Sequence, residues 1–229
     1  MWIFFSVLTA LLFSLSNIID KHVLSKLMSE PMIPLIIAGL VNLMAAIVVA
    51  AIYPLQPLTS AELGLALLAG GLYGGVALTY FFAVYFGDIS KNVPLFYLTP
   101  LFVLLLAGIF LNEFFSSVQY LGIFLLVFGA LLIFSENGKI RLGKAFWLVI
   151  ASAFISAIYS VVTKYLLGRI EPATVFVYGR LGFFMFVIPL IIRYVPVIKL
   201  RFYESGWKPF GVSAASETIS VIAIGTLTL

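Results

Sequence analysis

Apolar residues in this chain run in long unbroken blocks. The stretch from Val103 to Leu111, VLLLAGIFL, shows no in–out alternation of period two, which excludes the strands of a membrane barrel. A helix needs ~20 mostly apolar residues to cross ~30 Å of hydrocarbon. Eight segments meet or approach that length, at 2–20, 33–52, 62–85, 93–111, 118–134, 145–163, 174–192 and 209–229. The gaps between them are short and carry helix breakers, as in SEPMIP from residue 29, YPLQPLTS from 53 and SENGKIRLGK from 135. Trp2, Trp147 and Trp207 each stand at the start of a segment, where an indole suits the headgroup level. The first segment lacks a basic leader and an A-x-A-like cleavage site, so it reads as a retained helix. The pattern predicts an all-α polytopic membrane protein with eight transmembrane helices and no soluble domain at either end.

Composition removes the alternatives. Of 229 residues 63% are hydrophobic and 10% charged, with a mean hydropathy of +1.21. A chain this poor in polar surface takes lipid as its solvent, which excludes soluble enzymes, nucleic-acid binders and disordered tails. The net charge of +4 comes from 13 Lys and Arg scattered over short gaps, so no basic face forms for nucleic acid. With no Cys and one His, disulfides, thiolate metal sites, Cys nucleophiles and multi-histidine zinc or haem sites are ruled out, and no metal or cofactor is expected. The distribution of the cations does carry information. Ten lie in the odd-numbered gaps and two in the even-numbered gaps, with Arg180 inside the seventh segment. The positive-inside rule then places the N-terminus outside and the odd gaps in the cytoplasm, and the expected location is the cell membrane.

The chain also repeats itself. Residues 17–26, NIIDKHVLSK, lie over residues 160–169, SVVTKYLLGR, at an offset of 143, the separation of Lys21 from Lys164. Lys26 meets Arg169, Ala10 meets Ala153, and Glu30-Pro31 matches Glu171-Pro172 after a two-residue deletion. The first three segments thereby fall on the sixth, seventh and eighth. Five segments separate the copies, and an odd number makes the second copy enter from the opposite side, giving an inverted repeat. Residues 1–135 form the first copy and 143–229 an incomplete second one, without counterparts of the fourth and fifth helices. The expected whole is a five-plus-five plan of ten helices and roughly 280 residues, of which this chain is a fragment. Ala10/Ser14 and Ala153/Ala157 offer small faces on which the first and sixth helices are expected to pack as symmetry mates.

The run from Gly87 to Glu113 holds Pro94, six residues further Pro100, a long apolar stretch and a closing Glu; Gln119-Tyr120-Leu121-Gly122 follows, with Gly129 seven residues on. These features resemble the third-to-fifth helix region of the drug/metabolite transporter superfamily, EamA type. The resemblance implies ten helices in two inverted halves around a cavity near the bilayer midplane. It also implies transport, often outward, of amino acids, nucleotide-linked sugars, drugs or other small metabolites. Many members keep both ends in the cytoplasm, unlike the orientation read here from the loop charges.

Individual residues supply candidate chemistry. Arg180 lies within the seventh segment, and Glu217 is the only acid placed deep inside one. A charge at helix centre costs ~2.5–3.5 kcal/mol on insertion scales, so it faces protein or a wet cavity. Read functionally, the two hold a charged substrate or carry a coupling proton; read structurally, they form an ion pair or Arg180 snorkels to an interface. Tyr73, Tyr80, Tyr97 and Tyr159, with Ser14, Asn17 and Ser160 on the repeat-related helices, either line a hydrogen-bonding cavity or glue helices together. Pro94 and Pro100 remove two backbone donors and serve as a hinge, or merely as a packed kink. Gly70/Gly74 and Gly71/Gly75 are interlocked small-xxx-small motifs for close helix approach. Lys21, Lys26, Lys164, Arg169 and Glu113 sit at helix ends as headgroup anchors or gate residues, and His22, beside Asp20 and Lys21, is taken as solvated.

The leading function is a secondary transporter, an exporter working by alternating access, with no catalytic residues. Its partners are the lipid bilayer, a small-molecule substrate, a coupling proton and a second copy in a homodimer. No G-x-x-x-x-G-K-[ST] motif is present to drive it with nucleotide. An intramembrane enzyme acting on lipid or peptide would want converging acid–base groups or metal ligands, and no Asp pair, His cluster or G-x-S-x-G appears. A non-catalytic assembly subunit would not need the polar residues at mid-segment.

Overall fold

The computed structural model describes residues 2–28, 30–87, 94–96, 98–112, 116–135 and 143–228. Among them are eight α-helices and no strand: α1 Trp2–His22, α2 Met32–Ile52, α3 Ser60–Phe86, α4 Thr99–Phe110, α5 Ser117–Phe134, α6 Lys144–Leu167, α7 Pro172–Ser205 and α8 Lys208–Thr228. Each expected segment contains one. Five spans are long and apolar enough to cross a bilayer: Phe4–Leu27, Met32–Ile52, Ser60–Phe86, Lys144–Leu167 and Pro172–Ser205. α4 and α5 are apolar but shorter. α8 is diluted by Ser213, Ser216 and Glu217, all of which it buries.

Local chemistry sets several boundaries. Thr59 and Glu62 form a capping box at α3, the Glu62 amide donating to Thr59 Oγ1 and the Thr59 amide to Glu62 Oε2. Ser116 and Gln119 do the same for α5, so Gln119 serves as a cap. α1 continues into a π-helical turn, Val23–Leu27, and the chain then turns extended at Met28. α7 departs most from expectation, running through Pro189 and Pro196 to Ser205 where the pattern ended near residue 192. Proline breaks a helix only when nothing else holds it. Here Tyr194, Val197 and Ile198 pack on buried residues of the π turn, α2 and α3, and that packing keeps the helix intact. At 1.5 Å per residue α7 is about 51 Å long, well beyond the hydrocarbon core.

The helices are inside-out relative to a soluble bundle. α1 exposes Phe4, Val7, Leu11, Leu15 and Ile18, a stripe at helical spacing for lipid, and buries Thr9, Ser16 and Asp20. The largest interfaces are α3 with α6 and α7, α2 with α7, and α1 with α8; α2 also packs on α8 and α4 on α6. Exchanging α1 with α6, α2 with α7 and α3 with α8 maps these central interfaces onto one another. α1 and α6 share no extensive interface of their own: Ala153 packs with Ala83 of α3, whereas Ala10 and Ser14 line a cavity. The small faces thus serve other neighbours than the expected one.

The tightest crossing joins α3 and α7. A Cβ on Gly70 would strike the carbonyl oxygen of Gly179, and one on Gly182 the backbone of Leu67. Gly74 lies against Phe186 in the same crossing, but Gly71 has nothing within 4 Å. Of the two interlocked motifs, Gly70/Gly74 makes the close approach.

Candidate functional site

Six helices, α1, α2, α3, α6, α7 and α8, enclose a cavity of about 470 Å³, to which Phe96 also contributes. This is within the range of small-molecule sites. Aromatic rings of Phe13, Tyr73, Tyr80, Phe81 and Phe183 belong to its apolar wall. Its polar groups converge from separate helices: Asp20 and Asn17 from α1, Asn42 from α2, Arg180 from α7 and Glu217 from α8.

Arg180 is only 4% exposed. Its Nη1 donates to Asn42 Oδ1 at 2.8 Å, while Asn42 Nδ2 donates to the Ala38 carbonyl at 2.8 Å and is thereby fixed. The guanidinium lies over Phe176 at 4.7 Å and Tyr73 at 5.4 Å from the ring centroids, contacts that stabilise a desolvated cation by about 2 kcal/mol. Its hydrogen-bond partner Asn42 is thus neutral, and among the described residues no ion pair within 4 Å joins it to a carboxylate. A guanidinium has five N–H donors, so several remain for a ligand.

Glu217, 8% exposed, is the converse. It lines the same cavity and has no hydrogen-bond partner among the described residues, with Asp20 and Arg180 the charges nearest enough to act on it. The expectation that it stands alone is corrected by Asp20, which is 5% exposed. Asp20 Oδ1 accepts from Ser216 Oγ at 2.7 Å and Oδ2 from Tyr80 at 3.0 Å. The same Tyr80 hydroxyl also lies 2.8 Å from Asn17 Oδ1.

The nine binding residues expected from sequence divide unevenly. Ser14, Asn17, Tyr73, Tyr80, Arg180 and Glu217 line the cavity. Tyr159 lies behind it, its ring 5.2 Å from that of Tyr73, beside a void of about 20 Å³ shared with Arg180 and Thr163. Ser160 bonds back to the Ser156 carbonyl of its own helix. Tyr97 lies outside the described residues. Pro94 belongs to a short helical turn at 94–96, and Pro100 sits in the first turn of α4, where its missing N–H has no intrahelical partner to lose. Asp20, Ser16, Asn42 and Ser216 escaped sequence reasoning. Lys21 turns away from the headgroups, its Nζ donating to the Val84 and Gly87 carbonyls and closing the C-terminal end of α3. His22 is exposed, as expected.

With this geometry in hand, comparison with known proteins decides the family. Residues 1–135 match the EamA-like transporter family over more than half of the chain. The chain belongs to that family. Over 94 residues, 41% of the chain, this EamA-like protein is 32% identical to a probable terminal-alkyne amino-acid exporter of Streptantibioticus cattleyicolor. The match spans about a third (32%) of that relative's length. A solved crystal structure of a protein at 16% identity superposes with a TM-score of 0.54, covering 98% of this chain and 83% of the other, which supports the fold. The EamA-like assignment agrees with an all-helical protein whose solvent is the bilayer.

Proposed function

We propose that this protein is a secondary exporter that moves a small metabolite carrying both a carboxylate and an ammonium group through the central cavity by alternating access. The observation that carries the reading is a cavity lined by a buried guanidinium and a buried carboxylate that are not bonded to each other. Two such groups, left paired, would be structural; held apart, each keeps its charge for a ligand. Arg180, oriented by Asn42, receives the carboxylate, and Glu217 the ammonium, with the aromatic wall against the carbon skeleton. The relative named as a probable amino-acid exporter supports that chemical class.

Alternating access is supported by the exchange that relates the central helix interfaces, consistent with an inverted pair of units at 1–135 and 143–229. Orientation follows the loop charges, N-terminus outside, in the cell membrane. The test is counterflow of a labelled metabolite panel into proteoliposomes. Amino acids should exchange, and amines or acids lacking the other group should exchange at least about tenfold more slowly, as loss of one charge-assisted bond of ~1.5–3 kcal/mol requires. Exchange that ignores the substrate's charged groups would contradict the reading.

A further inference from the structure

Among the described residues, the cavity holds more acid than its one arginine balances. Asp20 from α1 and Glu217 from α8 both face it, and both are more than nine-tenths buried. From the other elements around them come Arg180 of α7, the neutral Asn42 of α2 and the tyrosines Tyr73 and Tyr80 of α3. Lys21, next to Asp20, is committed to the α3 carbonyls, and His22 and Lys26 are exposed. Two carboxylates against one guanidinium leave a buried deficit of one positive charge. Such an imbalance in a low-dielectric interior is costly, and one monovalent cation removes it.

The hydrogen bonds point to the same place. Tyr80 lies within bonding distance of Asn17 and Asp20, and Ser216 of Asp20, the Ser16 carbonyl and Ser16 Oγ. Ser16 Oγ also meets Ser220 Oγ at 2.7 Å. Each hydroxyl has one proton to give. Four hydroxyls therefore serve six contacts, and both branches end on Asp20, which as a carboxylate only accepts. The cluster is short of protons and rich in oxygen. Glu217 follows Ser216 in the chain and has no hydrogen bond among the described residues.

We propose that Asp20 and Glu217 together form a site for a monovalent coupling cation, a proton or a sodium ion, held while the cavity is empty of substrate; the substrate's ammonium group displaces it at Glu217, apart from the Arg180 anchor for the carboxylate. The proposal rests on the transporter reading for its purpose, but the cation site itself can be measured without substrate. Asp20 would hold the cation from within the α1–α8 contact, and Glu217 would face it from the cavity. A cation there ties α1 to α8, so its entry and release are coupled to the interface that a moving half must open.

Thermal unfolding of the purified protein at constant ionic strength is the first test, with sodium exchanged for choline in one arm and pH lowered stepwise in the other. A cation bound only by the folded state raises Tm by about 4 °C per tenfold excess over its Kd. Response in the sodium arm alone identifies sodium; response in the acid arm alone identifies the proton. Asp20→Asn and Glu217→Gln should each abolish the response, and Ser216→Ala, which removes one donor to Asp20, should weaken it should either acid variant fail to fold. Variants that respond like the parent protein, or a parent that responds to neither ion, would overturn the site. In proteoliposomes, each acid variant should lower gradient-driven accumulation at least about tenfold more than it lowers counterflow, a loss of coupling of ~1.4 kcal/mol or more. Equal losses in the two assays would overturn the coupling role. A cation response without exchange of any metabolite would instead sink the transporter reading and leave the site standing.

Discussion

Asp20, Arg180 and Glu217 are charged groups placed where each costs ~2.5–3.5 kcal/mol on insertion scales, and their partners show what is received in return. Arg180 has a neutral amide and two rings, so its charge is held in place without being cancelled. Asn42→Asp should cancel it. The variant is expected to fold and to lose at least about tenfold in exchange of carboxylate substrates, measured by counterflow, whereas Asn42→Gln should retain part of it. Glu217→Gln should insert and fold normally, because the residue bonds to nothing among the described residues. It should change either recognition of the substrate's ammonium group or the pH profile of transport; unchanged rate, selectivity and profile would make Glu217 structural. Arg180 and Glu217 were legible in the sequence because each is an isolated charge inside an apolar block. Asp20 was not, because with Lys21 and His22 beside it the triplet reads as the wet end of a helix. Only the fold, carrying α8 past α1, buries it against Ser216.

Among the elements, the α3–α7 crossing depends on residues without side chains. Gly70→Ala places a methyl group into the Gly179 carbonyl, and the backbones must separate. Overpacking of this kind costs roughly 1–3 kcal/mol, and the expected result is a lower Tm and a smaller folded fraction on size-exclusion chromatography. Gly71→Ala, one residue on, meets nothing and should be neutral or up to ~1 kcal/mol stabilising through helix propensity. Equal effects from both would mean the crossing is not the tight contact described. The sequence showed two interlocked glycine motifs and no means of choosing between them, since both faces of α3 are small. In α7 the sequence misled in the opposite direction, its two prolines and basic residues reading as a loop when tertiary packing keeps them helical.

At the scale of the molecule, the proposed orientation in the bilayer, N-terminus outside, rests on cations in the gaps, ten against two. The chain has no cysteine, which makes single-cysteine labelling clean. A cysteine at Pro57, in the gap between α2 and α3, should react in intact cells with a membrane-impermeant maleimide. One at Asn137, in the gap between α5 and α6, should react only after lysis. The reverse pattern would invert the topology and with it the side from which each half opens. The interfaces α3–α6 and α1–α8 would then still exchange under the proposed symmetry, because that relation lies in the packing and is independent of which face meets the cytoplasm.

What the sequence determined by itself was the solvent, the number of helices and the polar positions worth watching. Continuous apolarity leaves few options, since in lipid every backbone group must be satisfied within its own segment and the helix does so. The proposed repeat, too, rests on charges matched at one offset. Which helices touch, which polar residues share a cavity and which charge keeps a free face were decided by the tertiary structure alone. All eight segments are apolar, so hydropathy carries almost no information about their neighbours. Partner choice comes instead from small residues and from single hydrogen bonds such as Ser216 to Asp20, 196 positions apart, a relation no local pattern encodes.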